Sequence, residues 1–224
     1  MQIVILAGGF GTRLKRVSGD IPKPLVDVAG TPFLYRLLDN LKVYKPTKVV
    51  LALHYRAHWV IEKINRDRPV DFEIGFSVEE QPLGTGGGLK KACELISDDR
   101  FLAINGDTYH GLDYMKFMEG ASDFDLFISA IEVRDRSRYG AIEVASDGRL
   151  SSYRGTGVRS AGLINGGSYG IRTDILLDTL DDKFAFEDLF LSRTDLSIGV
   201  CEQRAPFVDI GVPEDYEFAC QMFS

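Results

Sequence analysis

The sequence predicts an α/β fold: a Rossmann-like, mixed and mostly parallel central sheet with helices on both faces. Three observations predict it. Apolar runs of strand length alternate with stretches of helical periodicity over residues 1–110. The first run, QIVILA at 2–7, is apolar without a break, as a strand buried on both faces is. Glycine-rich polar segments follow three of the runs, and sites in parallel sheets lie beyond the carboxyl ends of the strands.

In order along the chain, PFLYRLLDNLKVY (32–44) spaces Phe33, Leu34, Leu37, Leu38 and Leu41 as one face of a helix, with Pro32 suited to its first turn. TKVVLAL (47–53) reads as a strand, HWVIEKI (58–64) as a helix and DFEIGFSV (71–78) as an alternating strand. GGGLKKACELI (86–96) is a helix entered through glycines, and RFLAINGD (100–107) is a strand ending on polar groups. The three loops GGFGTRLKR (8–16), EEQPLGTGGG (79–88) and NGDTYHG (105–111) are therefore expected to converge on one crevice. Beyond residue 111 strands dominate: DLFISAIEV, YGAIEVASDGRLSSY with a turn at Asp147-Gly148, LINGGSYGI, LSIGVCEQ and FVDIG. FEDLFLSR and PEDYEFACQMF are short helices. No repeat or linker divides the 224 residues, so one domain, 1–224, with halves 1–110 and 111–224 is expected.

The composition is that of a globular chain, and no apolar run approaches the ~20 residues of a membrane span. A cytoplasmic protein with no membrane partner is expected. Cys93, Cys201 and Cys220 form no CxxC pairing and read as reduced thiols. A net charge of −7 argues against nucleic acid as a partner. Against it, Arg13, Lys15, Arg16 and Lys23 make the N-terminus locally positive, which fits a small phosphorylated ligand. His54 and His58 lack a third ligand and read as surface or capping residues, and Trp59 reads as helix packing.

The opening loop matches neither common phosphate-binding pattern. Gly9-Phe10-Gly11 lacks the third glycine of a dinucleotide fingerprint, and no register supplies a Walker A sequence. What it offers is a run of backbone N–H groups able to nest an anion. With them come Arg13, able to fork onto phosphate, and Lys23 in a stiff Pro-Lys-Pro frame.

LAGGFGTRL followed by PKPL is similar to the signature of the sugar-nucleotidyltransferases, which join a nucleoside triphosphate to a sugar 1-phosphate and release pyrophosphate. Further blocks follow in that family's order: EEQPLGTGGGL, NGD, RYG, INGGSYGI and VDIGVPEDY. SGDIPKPLVDVAGTPFL, PLGTGG and INGG look most like D-glycero-D-manno-heptose 1-phosphate guanylyltransferases. The resemblance implies a GT-A-like nucleotidyltransferase fold, a nucleotide-binding first half and a sugar-phosphate-binding second half. The substrates it favours are GTP and a heptose 1-phosphate.

In that family Arg13 and Lys23 would bind the triphosphate and stabilise the transition state, while Asp107 and Asp209 would hold Mg²⁺. The two aspartates also sit at polar ends of apolar strands, where carboxylates can meet a crevice. Leu6, Gly8, Gly9, Gly11 and Thr12 would form the nucleotide wall, with Gln81 and Pro82 at the base and Gly84, Thr85 and Gly86 closing over the nucleoside. Asn105, Tyr139, Gly140, Asn165, Gly166 and Glu187 match positions that hold the sugar phosphate.

One departure stands out. Many members place an acidic residue and a lysine a little before the Asn-Gly pair; this chain has Gly155 and Thr156 there, with Arg154 or Arg159 as substitutes. Two other readings remain open: the same chemistry with UTP, dTTP or CTP and a hexose 1-phosphate, or a non-catalytic nucleotide-binding subunit. A homo-oligomer is compatible with either.

Overall fold

The structure, a computed structural model, describes residues 1–224, the side chain of Leu191 excepted. β1 (Gln2–Leu6) runs into a glycine loop, a 3-10 turn at Thr12–Leu14 and the single-turn α1 (Lys15–Ser18). A two-residue hairpin, β2 (Asp27–Val28) and β3 (Thr31–Pro32), leads to α2 (Phe33–Leu41), whose five expected apolar residues are all buried. β4 (Lys48–Leu53), α3 (Ala57–Asp67), β5 (Glu73–Val78), α4 (Gly84–Cys93) and β6 (Arg100–Asn105) continue the alternation. β1 pairs in parallel with both β4 and β6, and β4 with β5.

After β6 come the short β7 (Thr108–His110), α5 (Tyr114–Gly120), β8 (Leu126–Val133) and the hairpin of β9 (Ala141–Val144) and β10 (Leu150–Arg154). β11 (Gly162–Arg172) is the seam of the molecule. One edge pairs antiparallel with β8; the other meets β6 through residues 168–172 and β9 through 163–164. Then α6 (Thr173–Leu177), α7 (Asp188–Ser192), β12 (Ile198–Glu202), β13 (Phe207–Asp209) and α8 (Pro213–Met222) complete the chain. β12 adds in parallel to β8, and β13 pairs antiparallel with β7. The nine-stranded sheet thus runs through both halves of the sequence.

Strand alternation divides the core. Ile3, Ile5, Val49 and Leu51 face α2, α3, α5 and α8. Val4, Val50, Phe101 and Ala103 face α4, α6 and α7. α5 had no counterpart in the sequence reading. Asp113 starts it by accepting hydrogen bonds from the Met115 and Lys116 N–H groups, an N-cap. Trp59 lies on the outer face of α3, under the Arg56 guanidinium at 4.5 Å, and not in the core. All three cysteines are free, and no helix is long and apolar enough to cross a membrane.

Candidate active site

The carboxyl ends of β1, β4, β5 and β6 open into a crevice of about 310 Å³. Its lining takes residues from all three loops expected there: Leu6 to Phe10; Glu79, Pro82, Gly84 and Thr85; and Asn105 to Asp107. In the first loop Gly11 is left-handed at φ 61°, which turns the chain into the 3-10 turn. The backbone N–H groups of Gly9, Phe10 and Gly11 make no hydrogen bond among the described residues, so the loop still offers donors to an anion.

Lys23 is almost fully buried. Its Nζ donates to Asp107 Oδ2 at 2.6 Å, and Gly11 packs against its stem, leaving room for no larger residue without displacement. Asp209 lies beside Asp107 because β13 and β7 pair Asp209 with Thr108, and the Ile210 N–H donates to the Asp107 carbonyl. Burial, and after it the charge of Asp107, pushes the Asp209 carboxyl up to about 6. Two adjacent carboxylates thus face one lysine, which already bonds Asp107. That deficit of positive charge suits a divalent cation, with phosphate oxygens or water completing its shell. No group of three metal-ligating side chains occurs among the described residues.

The structure gathers Leu6, Gly8, Gly9, Lys23, Pro82, Gly84, Thr85, Asn105, Asp107 and Glu187 at the crevice. Arg13 and Thr12 are exposed on the loop beyond it. Tyr139 stands nearby, where the charges of both Arg13 and Asp209 act on its hydroxyl.

Other expected residues lie elsewhere. Gln81 is exposed, and Glu79 turns into the crevice in its place. The Leu83 N–H donates to Glu79 Oε2 and fixes its direction. Gly86 does not close over a ligand: a Cβ there would fall inside the Phe184 ring. The Phe184 carbonyl accepts from the Gly86 and Gly87 N–H groups, so residues 179–187 cap the start of α4. Gly166 sits in a bulge of β11 against Ser129, and Asn165 supports the pocket from behind by donating to the Tyr169 hydroxyl. Gly140 is filled by Tyr153. Arg154 is exposed and alternates away from half-buried Tyr153 on β10, and Arg159 is exposed too.

Among the lining residues not expected from the sequence are Glu79 and His54; His54, expected as a surface or capping residue, instead faces the crevice. Both are the first residue beyond the carboxyl end of a parallel strand, where sites in such sheets lie.

Known proteins resemble this chain over nearly its whole length. The chain is 36% identical over 219 residues to the D-glycero-alpha-D-manno-heptose 1-phosphate guanylyltransferase of Campylobacter jejuni subsp. jejuni serotype O:2, covering 96% of this chain and 97% of that protein. It is 35% identical over 225 residues to the enzyme of the same name from Aneurinibacillus thermoaerophilus, covering 98% and 96%. The crystal structure of HddC from Yersinia pseudotuberculosis complexed with GMP-PN superposes with a TM-score of 0.92 at 46% identity, over 100% of this chain and 99% of that one. With residues 2–181 also matching the family as a whole, the chain belongs to the nucleotidyl transferase family.

Proposed function

We propose that this protein is a guanylyltransferase that joins GTP to D-glycero-α-D-manno-heptose 1-phosphate and releases pyrophosphate. The observation that carries the reading is likeness to two enzymes of that name over 96% and 98% of the chain. The crevice suits the reaction. A phosphate oxygen of the sugar phosphate attacks the α-phosphorus of GTP; a P–O bond forms as the bond to pyrophosphate breaks. Both partners are anions, and an ionised phosphate needs no general base, so alignment and positive charge carry the catalysis.

Lys23 and Arg13 supply fixed charge to the triphosphate, and the free N–H groups of the glycine loop hold its oxygens. Asp107 and Asp209 would hold Mg²⁺, which when bound neutralises charge on the α-phosphate and the departing pyrophosphate. Glu79 offers a carboxylate oxygen to the donor edge of guanine. On the opposite side Glu187, Tyr169 and Asn105 line the space left for the sugar phosphate. A nucleoside triphosphate substrate is consistent with work in the cytoplasm.

The test is pyrophosphate release with Mg²⁺ from a grid of nucleoside triphosphates and sugar 1-phosphates. Release from GTP with the manno-heptose phosphate is the expected result. Release only from another pair overturns the substrates, and bound GTP without release overturns the activity.

A further inference from the structure

His54 follows the last residue of β4 and reaches into the crevice from beside Gly8 and Glu79. Its ring is held on two sides. Nδ1 lies 3.0 Å from the Glu79 carbonyl oxygen. Phe10 packs against it edge-on, with centroids 5.4 Å apart and planes at 80°. Gly8 lets the glycine loop approach the main chain here, where a Cβ would stand 3.1 Å from the His54 backbone nitrogen. A carbonyl oxygen can only accept, so Nδ1 carries the proton. In the neutral ring Nε2 is then a bare acceptor, and it meets no protein donor among the described residues.

This corner therefore brings two acceptors to the crevice from the paired ends of β4 and β5: Nε2 of His54 and the Glu79 carboxylate, whose Oε2 already takes the Leu83 N–H. Two neighbouring acceptors match two neighbouring donors. Guanine has them, N1–H and the 2-amino group, on one edge. Uracil and thymine flank a single N–H with carbonyls, and adenine and cytosine set an acceptor beside their amino group. We propose that His54 is a specificity-determining residue, whose Nε2 accepts from the 2-amino group of guanine while Glu79 takes N1–H. The assignment rests on the guanylyl-transfer reading and deepens it.

ITP isolates the interaction, because it keeps N1–H and lacks only the 2-amino group. The wild-type protein is expected to favour GTP over ITP in kcat/KM by about tenfold, the scale of one hydrogen bond with an acceptor otherwise left unpaired. H54F keeps an aromatic ring against Phe10 without either nitrogen, and its ratio is expected to fall close to one. An unchanged ratio in folded H54F overturns the proposal. Wild-type indifference between GTP and ITP overturns it too, yet leaves guanylyl transfer standing, whereas turnover of another nucleotide in place of GTP removes both.

A second measurement does not depend on the variant folding. The chain has 3 histidines, so its imidazole ¹⁵N resonances can be resolved. The His54 Nε2 signal is expected at the position of an unprotonated nitrogen, shifting on addition of GDP and not of IDP. A protonated Nε2 in the free protein, or equal shifts with both nucleotides, overturns the assignment.

Discussion

Lys23 Nζ stands 2.6 Å from Asp107 Oδ2, a bond that ties the PKP segment to the end of β6 across 84 positions of sequence. In the free protein each group offsets the other's charge, and Asp209 is left beside them with a raised carboxyl pKa. A cation at the two aspartates would release Lys23 toward phosphate, so lysine and metal compete for Asp107. Lys23→Met is therefore expected to do two opposite things. Its kcat/KM should fall by at least ~10²-fold, as when one oriented charge donor is lost. Its affinity for Mn²⁺ without nucleotide, followed by titration, should rise. Weaker metal binding would show that Lys23 does not compete for Asp107.

Glu187, which the proposed function sets on the sugar side, is held by Thr85, whose hydroxyl donates to Oε2 at 3.2 Å and accepts from the Phe186 N–H at 2.8 Å. Thr85→Val removes that tether and Glu187→Gln removes the charge. Each is expected to raise KM for the sugar phosphate by about tenfold, the worth of one charge-assisted hydrogen bond, with KM for GTP little changed. Steady-state kinetics with each substrate varied in turn makes the separation. A matching rise in KM for GTP would place Glu187 on the nucleotide side.

Gly86 owes its lack of a side chain to Phe184 and not to a ligand. Lys90 secures the same strap by donating to the Thr179 carbonyl and Asp182 Oδ1, each at 2.7 Å. Gly86→Ala is expected to cost about 1–3 kcal/mol through overpacking. In a Phe184→Ala background the same substitution should cost much less, since the ring it strikes is gone. Urea unfolding of the four proteins closes the cycle. Equal costs in both backgrounds would exclude Phe184 as the obstacle.

These relationships mark how far the sequence could be read. The β1 run, the loop after it and the Asp147-Gly148 hairpin depend on neighbours in the chain, and they stand as expected. That Asp107 and Asp209 come together was legible because each ends an apolar run. Glu79, Glu80 and Gln81 are three polar residues in a row, and only the end of β5 decides that the first turns inward. The purpose of Gly86 was hidden for another reason. Its partner lies about a hundred residues away in a loop without periodicity, so a packing glycine looked like one that closes over the nucleoside. Arg154 was misplaced by ignoring alternation, since Tyr153 takes the inner face of β10.

His110 gives the fold a dependence on pH. It is 1% exposed, set edge-on against Phe207 with centroids 5.9 Å apart, and neither ring nitrogen has a hydrogen-bond partner among the described residues. Burial lowers its pKa to about 4, from 6.5 for an unperturbed histidine. Between those values the unfolded chain binds a proton that the folded protein refuses. Stability is thus fully present above the unfolded pKa and is lost as pH falls from about 6.5 toward 4. Between pH 7 and pH 5 this one residue should account for about 2 kcal/mol of lost stability. His110→Leu, which fills the site without a titrating group, should lose that much less over the same interval. Urea denaturation of both proteins at the two pH values measures the difference. Equal losses would mean that the folded protein protonates His110 as readily as the unfolded chain does.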